Sequence, residues 1–165
     1  MDAILNEVKE AFRLRLYYLC IMLCLALPDI CSALESDDGE TDEKKYRAWV
    51  KRWLRQYANH LTPQDMYRLR CGVLHQGRMG HRGFHYKRVA FSVNFLVHNT
   101  FLPSREKPEV LTLFINLFCR DVVTAVEEWE EVHKDDPIVK RNLEQLVQFR
   151  PNGLLPYLDG VACVS

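Results

Sequence analysis

The chain has 165 residues, 48% of them hydrophobic and 11% aromatic, a length and composition suited to one domain with its own core. Twenty-two Lys and Arg cancel twenty-two Asp and Glu, so net charge singles out no class of partner. The six cysteines form no CxxC pair and mostly sit among apolar residues, which excludes a secreted disulfide framework and fits reduced thiols in a cytoplasmic protein.

The stretch from Asp2 to Leu27 reads as a long first helix, apolar on nearly all sides in its second half and therefore the central element. Pro28 is expected to end or bend it. The uninterrupted apolar run Leu16–Leu27 is shorter than the ~20 residues that cross a bilayer, so no membrane span is expected. Arg13 and Arg15 ahead of that run also fit a signal peptide, but the acidic residues before them and the run's fit to a core helix favour a folded element. Residues 35–43, rich in Asp and Glu, read as a solvated loop.

A second helix is expected over about 42–57. Tyr46, Trp49, Val50, Trp53, Leu54 and Tyr57 recur at the helical period and read as a core face. Lys44, Lys45, Arg47, Lys51, Arg52 and Arg55 fall elsewhere around it, either as a solvated face or as contacts to phosphate. The third helix, about 63–75, has strong start signals. Thr62 can cap it, Pro63 suits its first position, and Asp65 places negative charge in the first turn. Gly77 is its expected stop.

A glycine-spaced basic loop follows, and then the periodicity changes. Alternation over about 88–97 and again over about 110–115 predicts two strands of a small antiparallel hairpin. Asn116 is a candidate cap for a helix over about 117–132, striped by Phe118, Val122, Ala125, Val126, Trp129 and Val132. Asp136-Pro137 starts a last helix reaching about Phe149. Prolines and glycines make the tail, 150–165, extended, with its apolar residues lying on the bundle or on a second subunit.

Chemistry concentrates in the third helix. Arg70 supplies a permanent cation with a planar fork that matches phosphate oxygens, and His75 can move a proton near neutral pH. Five residues advance a helix by roughly 500°, leaving the two side chains about 140° apart. They converge only if the helix ends near His75 or a second copy faces this one. From Met66 to Arg105 the chain holds no Asp or Glu, but it carries Arg68, Arg70, Arg78, Arg82, Lys87, Arg88 and Arg105 with four of the six histidines. Such a stretch is an electrostatic footprint for an anion, unless carboxylates from other helices neutralise it. Cys71 and His75, like His81 and His85, are four apart and form a zinc-like set. Gly83 interrupts the second pair, and no metal is assigned. Cys71 and His75 as thiol nucleophile and base lack a nearby orienting carboxylate.

The run Leu69-Arg70-Cys71-Gly72-Val73-Leu74-His75-Gln76-Gly77 resembles the arginine, four-to-six-residue, histidine motif of HEPN-domain proteins, and small stand-alone bacterial members in particular. The resemblance implies a mainly α, HEPN-like antiparallel bundle of four to five helices, here with the hairpin inserted. It implies a metal-independent RNA endonuclease that needs no cofactor. Two motifs would face each other across a homodimer, in a toxin–antitoxin or defence setting with an antitoxin or other protein partner. Arg70 would bind the phosphate and His75 transfer protons. Arg78, His81, Arg82 and His85 would contact the RNA backbone. Cys71 departs from the polar residue that often follows the arginine in active members. It favours the alternative, a degenerate HEPN-like module that binds a protein or nucleotide without cleaving RNA, with Arg70 tied to a carboxylate such as Asp65 or Glu7 and His75 capping helix carbonyls.

Overall fold

The computed structural model describes residues 1–79, 83–84, 86–93, 100–102 and 110–165, and is mainly helical. Helix α1, Asp2–Arg13, buries Leu5, Val8 and Ala11. The single helix expected over 2–27 is instead two, because the chain reverses at Leu14-Arg15-Leu16. The amide of Arg15 donates to the Phe12 carbonyl at 3.0 Å and that of Leu16 to the Ala11 carbonyl at 2.8 Å. This is the bonding of a Schellman cap, with Arg15 left-handed at φ 58°. Glycine or asparagine normally marks that position, and an arginine there gives a sequence reader no signal.

Helix α2, Tyr17–Leu34, continues past Pro28, which neither ends it nor stays at the surface. Cys20, Leu25, Leu27 and Cys31 are wholly buried, and α2 touches α1 and the four other helices described below. Burial from many sides outweighs the ~3 kcal/mol penalty of an interior proline. The helix is long and apolar enough to cross a membrane, but its packing is that of a core helix.

Helix α3, Glu43–Trp53, starts at Asp42, whose Oδ1 accepts from the Lys45 amide at 2.7 Å. It stops short of the expected residue 57. A 3-10 turn, Arg55–Tyr57, follows and drives Leu54, Tyr57 and Leu61 into the core. Helix α4, Pro63–Gln76, begins where Thr62 Oγ1 accepts from the Asp65 amide at 3.1 Å and ends at Gly77, left-handed at φ 61°.

Strands β1 (Arg88–Ser92), β2 (Thr100–Leu102) and β3 (Val110–Phe114) form one sheet in the order β1-β3-β2. The expected antiparallel hairpin of the first and last is not formed. β1 and β3 pair in parallel, Arg88 opposite Val110, and β2 takes the antiparallel side of β3. Parallel neighbours need a long connection, which residues 93–109 supply. The part of the expected first strand at 94–97 lies outside the described residues.

β3 feeds directly into α5, Ile115–His133, whose N-cap is Phe114 rather than Asn116, with no side-chain cap. Ile115, Phe118, Val122, Ala125, Val126 and Trp129 form its buried stripe. Helix α6, Pro137–Leu143, is capped by Asp136 and ends well before the expected Phe149. Near that end lies buried Asn142, whose Nδ2 donates to the Leu34 carbonyl at 3.0 Å and the Ser36 carbonyl at 2.8 Å, satisfying the open end of α2. The tail is not simply extended. β4 (Phe149–Arg150) pairs with β7 (Cys163–Val164), and β5 (Gly153–Leu154) pairs with β6 (Leu158–Asp159). Phe149, Leu155, Tyr157 and Val164 stand exposed on this arm.

Candidate functional site

α4 carries the site because its two faces do different work. Met66, Leu69 and Val73 enter the core, and this fixes the helix against α2 and α3. Tyr67, Arg70 and Cys71 are left at the partly open edge, facing the second half of α2.

Arg70 is held from two directions. Its Nε donates to Asp29 Oδ2 at 2.6 Å, in a pair whose side chains keep only 19% and 13% of their exposure. Its Cζ lies 5.9 Å from the centre of the Tyr67 ring, a cation–π distance. Tyr67 in turn meets Tyr46 edge to face at 5.5 Å, and buried Tyr46 donates its hydroxyl to the Leu25 carbonyl at 3.2 Å. The guanidinium is thus positioned through two side chains by the core helix.

With Nε committed, Arg70 Nη1 reaches His75 Nε2 at 3.0 Å. The helix ends one residue after His75, and the length of the two side chains closes the angle between them. Arginine has donors only. A hydrogen bond between these atoms therefore requires Nε2 to accept. His75 is exposed. An incoming phosphate oxygen can take over Nη1 and free the Nε2 lone pair for a hydroxyl proton.

Burial pushes the Asp29 carboxyl above its ordinary range, while the hydrogen bond and charge of Arg70 pull it back. Burial works against the Arg70 cation, but the hydrogen bond and charge of Asp29, with Cys71 adding to them, more than offset it and hold the guanidinium more firmly charged. Burial also raises the Tyr67 phenol, and its hydrogen bond to Cys71 adds to this. Cys71 sits beside the fork, its Sγ accepting from Arg70 Nη1 at 3.8 Å.

Of the residues expected to contact RNA, Arg78 is exposed just past the end of α4. His81, Arg82 and His85 lie outside the described residues. Arg68 is turned away from the pair and donates to the Gly83 carbonyl. The carboxylates expected to hold Arg70 in a degenerate module do not do so. Asp65 is buried in the first turn of α4, accepting from the Thr62 hydroxyl at 2.7 Å, and the partner is Asp29. One signal for Asp29 was present: it is the only charged residue between Leu16 and Leu34. A lone carboxylate in an apolar helix is retained when something pays its desolvation. Nor does His75 cap a helix carbonyl among the described residues, where its partner is Arg70. No cluster of three or more metal-ligating side chains forms among the described residues. No protein-family model, curated protein or solved structure matches the chain.

Proposed function

We propose that the chain is a metal-independent RNA endonuclease of the HEPN type, acting in the cytoplasm as a homodimer. The observation that carries this reading is the 3.0 Å approach of Arg70 Nη1 to an exposed His75 Nε2, with Asp29 fixing the arginine from behind. A cation that can bind phosphate and a base that can take a hydroxyl proton lie side by side, which supports cleavage of RNA by its own 2′-hydroxyl. His75 takes the 2′-OH proton, and Arg70 stabilises the charge growing on the phosphorane. The bond from phosphorus to the 5′-oxygen breaks, giving a 2′,3′-cyclic phosphate and a 5′-hydroxyl. The leaving oxygen needs a proton from an acid, and one copy holds a single such histidine. A two-fold partner supplies the second His75, and a toxin–antitoxin or defence role would pair the enzyme with an antitoxin.

Incubating total RNA with the full chain and with the Arg70→Ala and His75→Ala variants, in chelator, tests the reading. Cleavage by wild type alone is expected. Cleavage that persists in both variants, or that requires added Mg²⁺, overturns it. The second reading, a degenerate binding module, is favoured by Cys71, whose Sγ occupies a hydrogen of the Arg70 fork. Restoration of cleavage by Cys71→Asn in an otherwise inactive wild type would decide for it.

A further inference from the structure

Away from the Arg70–His75 pair, α3 turns a second cationic surface to solvent. Lys44, Arg47 and Lys51 line a groove of about 360 Å³ with Thr62, Pro63 and Gln64 at the start of α4. A second hollow of about 520 Å³ continues from Lys51 and Ala48 to Arg52, Arg55 and Ala58. Lys44, Arg47 and Lys51 sit at helical spacings of three and four, so they form one stripe rather than a ring of charge.

Three features distinguish this groove from an ordinary solvated face. Like charges four apart, such as Arg47 and Lys51, oppose helix formation, so the stripe is held against local preference. Compensation is partial. Glu43 meets Arg47 at 3.3 Å and Glu35 meets Arg52 at 3.3 Å, but Lys44 and Lys51 make no hydrogen bond or ion pair among the described residues. Finally, the lining is Lys, Arg, Ala, Thr, Pro and Gln, with no aromatic ring. A groove with cations and no stacking platform grips a phosphate backbone and does not read bases.

The groove also lies in line with Arg70 on α4. Pro63 and Arg70 are seven residues apart, which returns to nearly the same face about 10 Å along the axis. Tyr67 stands between them on that face, against Arg70. We propose that this groove, through Lys44, Arg47, Lys51 and Arg55, binds the sugar-phosphate backbone of the RNA strand engaged at Arg70 and His75. The proposal rests on the nuclease reading for its substrate. It makes substrate capture independent of sequence, with any preference left to the cleavage site.

Fluorescence anisotropy on the full chain tests it, with a labelled single-stranded 2′-O-methyl RNA as a probe that cannot be cut because its nucleophile is blocked. The Lys44→Gln/Lys51→Gln double variant is expected to bind ~10-fold more weakly at 0.1 M salt. Its log–log salt slope should shrink by about 1.4, since each single-strand phosphate contact contributes about 0.7. Lys44→Arg/Lys51→Arg should restore both, and no form should melt below wild type, because the changed residues are exposed. Unchanged affinity and slope in the Gln variant overturn the groove, while the His75→Ala cleavage assay reports separately on the nuclease reading. A polyglutamate peptide that binds as tightly, and with the same dependence on Lys44 and Lys51, overturns RNA as the ligand. Loss of RNA binding in the Gln variant, with polyglutamate bound weakly, supports it.

Discussion

At the residue scale the chain stakes a desolvated carboxylate on one arginine. Asp29 is mostly buried and its carboxyl is pushed up by that burial, so without Arg70 it has no reason to be in the core. Removing it should hurt in two ways. Asp29→Ala leaves a half-buried guanidinium without its acceptor and should lower unfolding free energy by about 1–3 kcal/mol, read from urea midpoints. It should also lower RNA cleavage by freeing Arg70 to leave His75, without touching substrate itself. Arg70→Ala and His75→Ala should each reduce cleavage by ~10²-fold or more, as loss of a charge stabiliser or of an acid–base group does. Of the two, His75→Ala should leave the melting temperature unchanged, because its ring is exposed. An Asp29→Ala protein as stable and as active as wild type would refute the positioning role.

At the element scale two turns carry backbone constraints that can be tested separately. Arg15 holds a left-handed conformation that costs an L-residue about 1 kcal/mol. Arg15→Gly should therefore raise stability by roughly 0.5–1 kcal/mol while keeping the α1–α2 reversal, whose hydrogen bonds are all backbone. A falling melting temperature would mean that the arginine side chain does more than the cap geometry indicates. Gly153 is the opposite case. At φ 87°, a Cβ built there would stand 1.7 Å from the Leu158 carbonyl oxygen, so β5 and β6 cannot pair around a side chain. Gly153→Ala should loosen the C-terminal arm alone. Trypsin should cut near Arg150 faster, while far-ultraviolet circular dichroism and the thermal midpoint of the helices stay close to wild type.

At the scale of the whole molecule the thiols report on the core. Cys20, Cys24, Cys31 and Cys119 are buried and Cys71 and Cys163 partly open, all six unbridged. A disulfide-exchange reagent at pH 8 should therefore titrate two thiols in the native protein and four more after unfolding. Burial raises Cys20 from an ordinary 9.0 to about 11, and raises Cys24 and Cys31 as well, with a hydrogen bond to Cys119 the leading cause at Cys24. Between pH 9 and 11 the unfolded chain loses these protons and the native one keeps them. The native state then binds more protons, so stability must fall as pH rises through that window. Urea midpoints under reducing conditions should drop from pH 8 to pH 10.5, and less so in a Cys20→Ala variant. The shared-site mechanism makes its own demand at this scale. Light scattering across a dilution series should give twice the 19.4 kDa chain mass, and a monomer at micromolar concentration would remove the second histidine.

Local chemistry alone determined much of this protein. Thr62, Pro63, Asp65 and Gly77 mark both ends of α4, and Asp42 and Asp136 mark two more helix starts, because caps act over three or four residues. The apolar stripes of α3, α4 and α5 are likewise local periodicities. The meeting of Arg70 with His75 did not follow from their spacing, which sets them about 140° apart on a helix, but from the helix ending next to His75. What the sequence could not decide were interactions between residues far apart in the chain. Pro28 stays helical because five helices cover α2. The strands β1 and β3 pair in parallel, with β2 on the other edge of β3, a register between segments far apart in the chain. α6 stops where Asn142 meets the end of α2. Arg70 chooses Asp29, not the nearer Asp65, because α4 packs its buried face so that the guanidinium looks at α2. Each depends on desolvation and on the closing of backbone polar groups by distant partners, and these energies exist only once the helices have packed.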